Sequence, residues 1–205
     1  MILIIDYESG NIRSISNALN FLGIKYRTVS KLEEIDFNFS HIILPGVGSY
    51  NDAMLNLKKK KFDKFLFENN EKNIPILGIC AGMQILSTVG YENSKTNGID
   101  LIKGEVKNIS ELKPDYKCHV GWNNIFDVKD SKIFRNLNLD CEFYFDHSYF
   151  FKTSFKENIL FKSKYNLEFC SGVIQKNLIG LQFHPEKSHK NGIMIYNNFY
   201  NLFHA

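Results

Sequence analysis

No stretch of this 205-residue chain is apolar for long enough to cross a membrane. The apolar start, Met1–Asp6, is too short for a signal h-region and lacks both a basic n-region and a cleavage site. The four cysteines, Cys80, Cys118, Cys141 and Cys170, have no C-x-x-C spacing, which argues against a zinc knuckle. Charge of one sign is scarce as well. A net charge of +3 is far from the basic stripe that nucleic acid demands. The one run, Lys58–Lys61, follows an amphipathic-looking segment (Asn51–Leu57) and reads as a solvated helix end. There is no internal repeat, low-complexity tract or linker. What remains is 44% hydrophobic, ordinary for a soluble globular chain with a sizeable core. The expectation is one domain over residues 1–205, cytoplasmic, with free thiols.

The first half alternates two periodicities. Ile2–Ile5 is a continuous apolar run, as expected of a strand buried on both faces. From Asn11, apolar residues at 12, 15, 19 and 22 mark one helix face, and Gly23 ends it. Ile24–Val29 and His41–Leu44 read as further strands, Tyr50–Phe67 as a helix, Ile74–Ile79 as a strand and Ala81–Val89 as a helix. Such alternation predicts a doubly wound, mostly parallel α/β sheet, with working residues at the carboxyl ends of its strands. From Asp100 the texture is β-rich: Ile102–Ile109, His119–Phe126, Phe143–Phe151, Phe169–Ile174 and Leu178–Phe183. A last helix is expected over Ser188–Phe203. This second half predicts an antiparallel β extension of the same unit.

Gly78-Ile79-Cys80-Ala81-Gly82 falls at a strand-to-helix junction and has the form G-x-C-x-G, a cysteine version of the nucleophile elbow. Flanking side chains would clash in so tight a turn, and the helix N-terminus favours thiolate. In Gln182-Phe183-His184-Pro185-Glu186, extended residues two apart share a face, so Glu186 reaches the imidazole of His184 and selects its tautomer. Pro185 stiffens that geometry. Acyl transfer also needs donors for an oxyanion. The N–H of Ala81 is one, and Val47 or Gly48, in Pro45-Gly46-Val47-Gly48 at the end of a strand, is the natural second. Gln84 lies one helical turn past Cys80 and can hydrogen-bond a substrate. Cys80, His184 and Glu186 together point to thiol-based acyl transfer.

Asn73-Ile-Pro-Ile-Leu-Gly-Ile-Cys-Ala-Gly-Met-Gln84, taken with Gln182-Phe-His-Pro-Glu-Lys-Ser188, resembles the signature pair of the class I, triad-type glutamine amidotransferases, whose glutaminase fold is flavodoxin-like. Leu44-Pro-Gly-Val-Gly-Ser-Tyr-Asn-Asp-Ala-Met54, Gly10-Asn11, His119-Val-Gly-Trp-Asn123 and Tyr144-Phe-Asp-His-Ser-Tyr149 narrow the likeness to the glutaminase subunits of histidine biosynthesis. The resemblance implies that Cys80 attacks the amide of glutamine and that His184 protonates the leaving ammonia. It implies glutamine held by Gln84 and the Ser148-Tyr149 segment, with an oxyanion hole completed by Gly46, Val47 and Gly48. It implies a heterodimer with a (β/α)8-barrel synthase (cyclase) subunit that receives ammonia through a channel, and Asn11, Trp122, Tyr144 and Lys187 facing or gating that partner. No metal or organic cofactor is implied.

Three positions depart from the family pattern. Cys118 stands where proline is usual, Asp146 where an apolar residue precedes His147, and Ala81 where leucine is more usual. None is in the triad, and two lie in partner-side motifs. An alternative therefore stays open, a paralogous glutaminase that supplies ammonia to an amidotransferase acting on a surface-glycan sugar. A cysteine hydrolase of other amides fits the Gln84 and His-Ser-Tyr motifs less well, and a non-catalytic module derived from a glutaminase fits an intact Cys80, His184 and Glu186 less well.

Overall fold

A computed structural model describes residues 1–112, 114–115, 117–138, 140 and 142–202; Cys141 and Phe203 lie outside the described residues. The four early apolar runs are strands: β1 (Ile2–Ile5), β2 (Tyr26–Val29), β3 (His41–Leu44) and β4 (Ile76–Ile79). Between and after them run α1 (Ile12–Phe21), α2 (Tyr50–Lys59), α3 (Phe62–Glu71) and α4 (Ala81–Gln84). The second half supplies β5 (Val89–Gly90), β6 (Thr96–Asn97), β7 (Gly104–Asn108), β8 (His119–Asn124), β9 (Glu142–His147) and β10 (Tyr149–Thr153). It ends with β11 (Ile159–Tyr165), β12 (Leu167–Gln175), β13 (Leu178–Leu181) and α5 (His189–Asn201).

Seven strands form the central sheet in the order β11-β12-β13-β4-β3-β1-β2. The contacts from β13 through β2 are all parallel, whereas β11 and β12 are antiparallel additions. Taken from the other edge, the parallel part runs β2-β1-β3-β4-β13, the 2-1-3-4-5 order of flavodoxin-like sheets. The alternation within β1 explains why the sheet is covered twice. Ile2 and Ile4 pack with Ile15, Leu19, Ile195 and Phe199 of α1 and α5. Leu3 and Ile5 pack with Met54, Leu57, Phe62 and Leu66 of α2 and α3. The predicted sheet and its antiparallel extension are both present.

Three expectations of detail need correction. The Tyr50–Phe67 helix is two helices, because Lys61 adopts a left-handed backbone (φ 62°) between α2 and α3. Its lysine run is a helix end, although Lys60 turns in to pair with Glu8 at 3.0 Å. The Ala81–Val89 helix stops after one turn: the carbonyls of Ile85 and Leu86 accept from Ile99, Leu101 and Ile102 instead of continuing the helix. The Phe143–Phe151 run breaks at Ser148, where the chain leaves the two-stranded β8–β9 ribbon and enters a second sheet, β10-β7-β5-β6. Strand β11 carries no expectation from the sequence. Among the described residues Cys80, Cys118 and Cys170 are free, and no helix is long and apolar enough to span a membrane.

Candidate active site

Cys80 follows β4 at φ 53° and ψ −112°. A non-glycine residue holds such a conformation only where its surroundings impose it. Here Cys80 N–H donates to the Leu181 carbonyl of β13 (2.8 Å), and its own carbonyl accepts from Gln84 N–H (3.1 Å). The elbow glycines are required by close approach. A Cβ on Gly82 would lie 2.0 Å from the Leu44 carbonyl oxygen, and one on Gly46 would lie 2.2 Å from the Gly82 nitrogen. The thiol is nearly buried, with the Asp146 carbonyl at 3.7 Å and the side-chain N–H of Gln182 directed at Sγ at 3.6 Å. Because α4 is a single turn, its dipole adds little at Sγ, whose polar contacts are an acceptor, the Asp146 carbonyl, and a donor, the Gln182 amide.

His184 and Glu186 are both buried, and Nδ1 lies 2.8 Å from Glu186 Oε1. That contact leaves Nε2 for Cys80. Burial by itself would push the imidazole down. The charge and hydrogen bond of Cys80, followed by the hydrogen bond and charge of Glu186, outweigh it and raise His184 to about 10. Two groups fix this pair. Ser188 Oγ donates to the His184 carbonyl (2.6 Å), and the hydroxyl of buried Tyr196, on α5, lies 3.5 Å from Glu186 Oε2. Burial first, and then the Glu186 charge, keep Tyr196 protonated. Sequence reading passed over Tyr196; a buried tyrosine one helix beyond a His-Pro-Glu turn is its only signal.

A cavity of about 360 Å³ opens beside Cys80 and His184. Gln84, Ala81, Ser148, Tyr149, Val47 and Gly48 line it, as expected, and Gly46 sits one residue back against Gly82. Gln84 is more constrained than its motif suggests. Its Nε2 donates to the Tyr149 carbonyl (2.8 Å) and to Gln182 Oε1 (3.0 Å), so both its amide hydrogens are engaged within the protein. What it can offer a ligand is Oε1. Two further residues at the site, Gln182 behind the wall and Glu92 in it, escaped sequence reading. Gln182 links Gln84 to Sγ. Glu92, half-buried in a turn without local pattern, has its carboxyl pushed up mainly by burial, while it accepts Tyr50 N–H at 2.6 Å. An acid so placed favours a cationic ligand group.

The segment Pro45–Gly48 is held by the loop after β1. Tyr7 donates to the Pro45 carbonyl (2.6 Å), and Val47 N–H donates to the Ser9 carbonyl (2.7 Å). Of the two donors expected to complete the oxyanion hole, Val47 or Gly48, the Val47 N–H is therefore turned to another acceptor in this conformation.

The β8–β9 ribbon alternates strictly. His119, Gly121, Asn123, Phe143, Phe145 and His147 point in; Val120, Trp122, Tyr144 and Asp146 point out. Trp122 and Tyr144 are cross-strand partners with ring centroids 5.9 Å apart, and Lys187 lies over Tyr144 at 5.2 Å. Three of the four expected partner-facing residues thus form one cluster. The fourth, Asn11, begins α1, which packs on the Pro185–Lys187 turn. Asp146 also belongs to this face and pairs with Lys187 at 3.4 Å. Cys118 is exposed just before β8.

The family model for glutamine amidotransferase class-I matches residues 3–202. The chain is 38% identical over 203 residues to the imidazole glycerol phosphate synthase subunit HisH of Dehalococcoides mccartyi, covering 98% of this chain and 97% of that one. It is 41% identical over 202 residues to the subunit HisH of Carboxydothermus hydrogenoformans, covering 97% and 98%. Among solved structures it is similar to PurLQS from Thermotoga maritima (TM-score 0.77, 20% identity, 98% and 97% covered). It is also similar to a glutamine amidotransferase from the same organism (TM-score 0.68, 21% identity, 96% and 82% covered). Those two likenesses speak to the fold alone. With the family model spanning nearly the whole chain, and relatives at this identity matched almost end to end, the chain belongs to the class-I glutamine amidotransferases, within their HisH group.

Proposed function

We propose that this chain is the glutaminase subunit of an imidazole glycerol phosphate synthase, a single amidotransferase domain that hydrolyses glutamine to glutamate and passes ammonia to a partner synthase subunit in histidine biosynthesis. The observation that carries the chemistry is the buried series Cys80–His184–Glu186 beside a cavity that both Cys80 and His184 line. Cys80 Sγ attacks the side-chain amide carbon with its proton already on His184 Nε2, the state that the raised His184 favours. The tetrahedral oxyanion takes the N–H of Ala81 and, once its peptide has turned, that of Val47. His184 returns the proton to the leaving nitrogen, which departs as ammonia. Water, deprotonated by His184, then cleaves the γ-glutamyl thioester to glutamate and free thiol. Glu186 keeps Nδ1 protonated throughout.

The far end of glutamine carries a carboxylate and an ammonium. Glu92 and Gln84 Oε1 suit the ammonium, and the Ser148–Tyr149 wall completes the site. The partner is proposed to be a (β/α)8-barrel of the HisF type, in a heterodimer docked over Trp122, Tyr144, Lys187 and Asn11. Exposed Val120 and Trp122 give that face an apolar centre, and Lys187 and Asp146 give it a charged edge. Glutamate release should be slow from the chain alone, faster with the partner and its acceptor bound, and lost in Cys80→Ala. Full activity in Cys80→Ala would sink the mechanism, and strong activity indifferent to any partner would sink the proposed place in a synthase complex.

A further inference from the structure

Two buried histidines on the inward face of the β8–β9 ribbon have no part in the reaction above. His119 and His147 are directly opposed cross-strand partners. His147 Nδ1 lies 2.8 Å from the Tyr149 carbonyl, which can only accept, so Nδ1 carries the proton. The Nε2 of a neutral His147 is then an acceptor, and His119 Nδ1, 3.0 Å away, must donate to it. His119 Nε2 in turn accepts from Asn123 Nδ2 at 3.1 Å, and the other hydrogen of that amide goes to the Lys164 carbonyl at 3.0 Å. Each tautomer is fixed by its neighbour. Burial holds both rings neutral, His119 down to about 4 and His147 to about 3, where the charge of His119 adds to burial. His119 is also clamped between the rings of Phe145 and Tyr165, at 4.7 and 4.2 Å.

The acceptor at the end of this series is the carbonyl that also holds Gln84. Tyr149 O receives His147 Nδ1–H from one side and Gln84 Nε2–H from the other; Gln84 continues to Gln182, and Gln182 to Cys80 Sγ. Because donors converge on a carbonyl that has no proton to pass on, the series cannot relay protons. It can only fix positions. We infer that His119 and His147 are positioning residues of the glutamine site, a tautomer-locked pair that sets the Tyr149 carbonyl and, through it, Gln84 and the pocket wall. The inference rests on the cavity being a glutamine site.

Steady-state glutaminase kinetics of the complex with its synthase partner test it, using two variants of one residue. His147→Asn keeps a donor near the Nδ1 position and loses His119; His147→Gln keeps the His119 contact and loses the Tyr149 bond. His147→Gln should raise KM for glutamine about fivefold, equivalent to about 1 kcal/mol at roughly 1.4 kcal/mol per tenfold, with kcat changed less. His147→Asn, which keeps the Tyr149 bond and loses only the lock from His119, should raise KM about twofold. Melting temperatures should fall alike in both, since each loses one buried bond. Equal KM values for the two variants, or a loss confined to kcat, overturn the inference. Imidazole ¹⁵N shifts of the wild-type chain decide it even where a variant fails to fold. Both rings should be neutral and Nδ1-protonated, and an Nε2–H tautomer at His147 overturns the positioning role. A wild-type complex without glutaminase activity would instead defeat the functional reading and leave the tautomer result standing.

Discussion

Replacing Glu92 by Gln removes a charge from the cavity wall and little else. Gln Oε1 can still accept Tyr50 N–H, the 2.6 Å bond that ties Glu92 to the start of α2, so the fold should hold. What is lost is attraction for the α-ammonium of glutamine. A hydrogen bond to a charged group is worth about 1.5–3 kcal/mol, or roughly 10- to 150-fold in affinity. A pair of unit charges 4 Å apart near a protein surface, about 4 kcal/mol, sets the ceiling. Glu92 is only half-buried and water shares the site, so the lower part of that range, about 10- to 30-fold in KM, is expected. The ammonium is remote from the reacting carbon, so kcat should stay within about threefold. The assay compares glutamine with 4-carbamoylbutanoate, which is glutamine without its amino group. Wild type should prefer glutamine by the factor that Glu92→Gln loses, and the variant should treat the two substrates nearly alike. Burial already holds the Glu92 carboxyl above its ordinary range, so protonation on mild acidification should raise the wild-type KM and leave that of the variant flat. Equal losses on both substrates would refute the assignment of Glu92 to the ammonium.

Glu186→Gln presents an N–H to His184 Nδ1 and selects the wrong tautomer; the matching change in Ser-His-Asp sites costs ~10⁴ in kcat, and a loss of at least about 10² is expected here at little change in KM, read by glutamate release. Gly82→Ala drives a methyl to 2.0 Å from the Leu44 carbonyl, an overpacking cost of about 1–3 kcal/mol or more, which calorimetry should register as a melting temperature lower by about 6–12 °C at the upper figure. Acidification should destabilise the fold early. Unfolded His119 and His147 take up protons near pH 6.5, whereas the folded rings wait until about 4 and about 3. The unfolded state then binds more protons, so the pair's contribution is full well above pH 6.5 and falls as pH drops towards 4. Raised His184 acts the other way, its contribution being lost only as pH rises from about 6.5 to about 10. Glu92, raised by burial, opposes this as a single half-buried group. A melting temperature that stays flat from pH 6.5 to 4.5 would contradict the neutral histidine pair.

The sequence was most legible where structure is local. Strands β1, β3 and β4 are runs of residues buried on both faces, which only a covered parallel sheet accommodates. The elbow and the His-Pro-Glu turn compress their geometry into five residues each, so Cys80, His184 and Glu186 stood out without tertiary information. Failures came where distant partners decide. Nothing in four consecutive lysines announces that Lys61 turns left-handed, and the apolar spacing after Cys80 favours helix until Ile99, Leu101 and Ile102 claim its carbonyls. The break at Ser148 is hidden inside an aromatic run because two sheets compete for it; His147 pairs with His119, and Tyr149 with Asn108. Gln182 and Glu92 matter through contacts with residues far along the chain, which no window of sequence contains, and Tyr196 through Glu186, ten residues back across a turn whose geometry decides whether the two meet.

That division bears on why a complete triad need not mean an active enzyme. The proposed nucleophile, base and orienter are assembled in the isolated chain, and the pocket wall is hydrogen-bonded to them. The second oxyanion donor is the exception. Val47 N–H is satisfied by the Ser9 carbonyl at 2.7 Å, and Tyr7 pins the preceding Pro45 carbonyl at 2.6 Å. One missing oxyanion donor costs about 10²–10³ in rate, roughly 2.7–4 kcal/mol. The bond that withholds it is worth only about 1 kcal/mol. A small force on the loop from Tyr7 to Gly10 could therefore release a much larger gain in transition-state binding. That loop runs directly into Asn11, on the face proposed for the synthase partner, and Val47 itself is 40% exposed. Docking there would act on that bond rather than on the triad, so stimulation by a partner should appear in kcat with the protonation state of His184 unchanged.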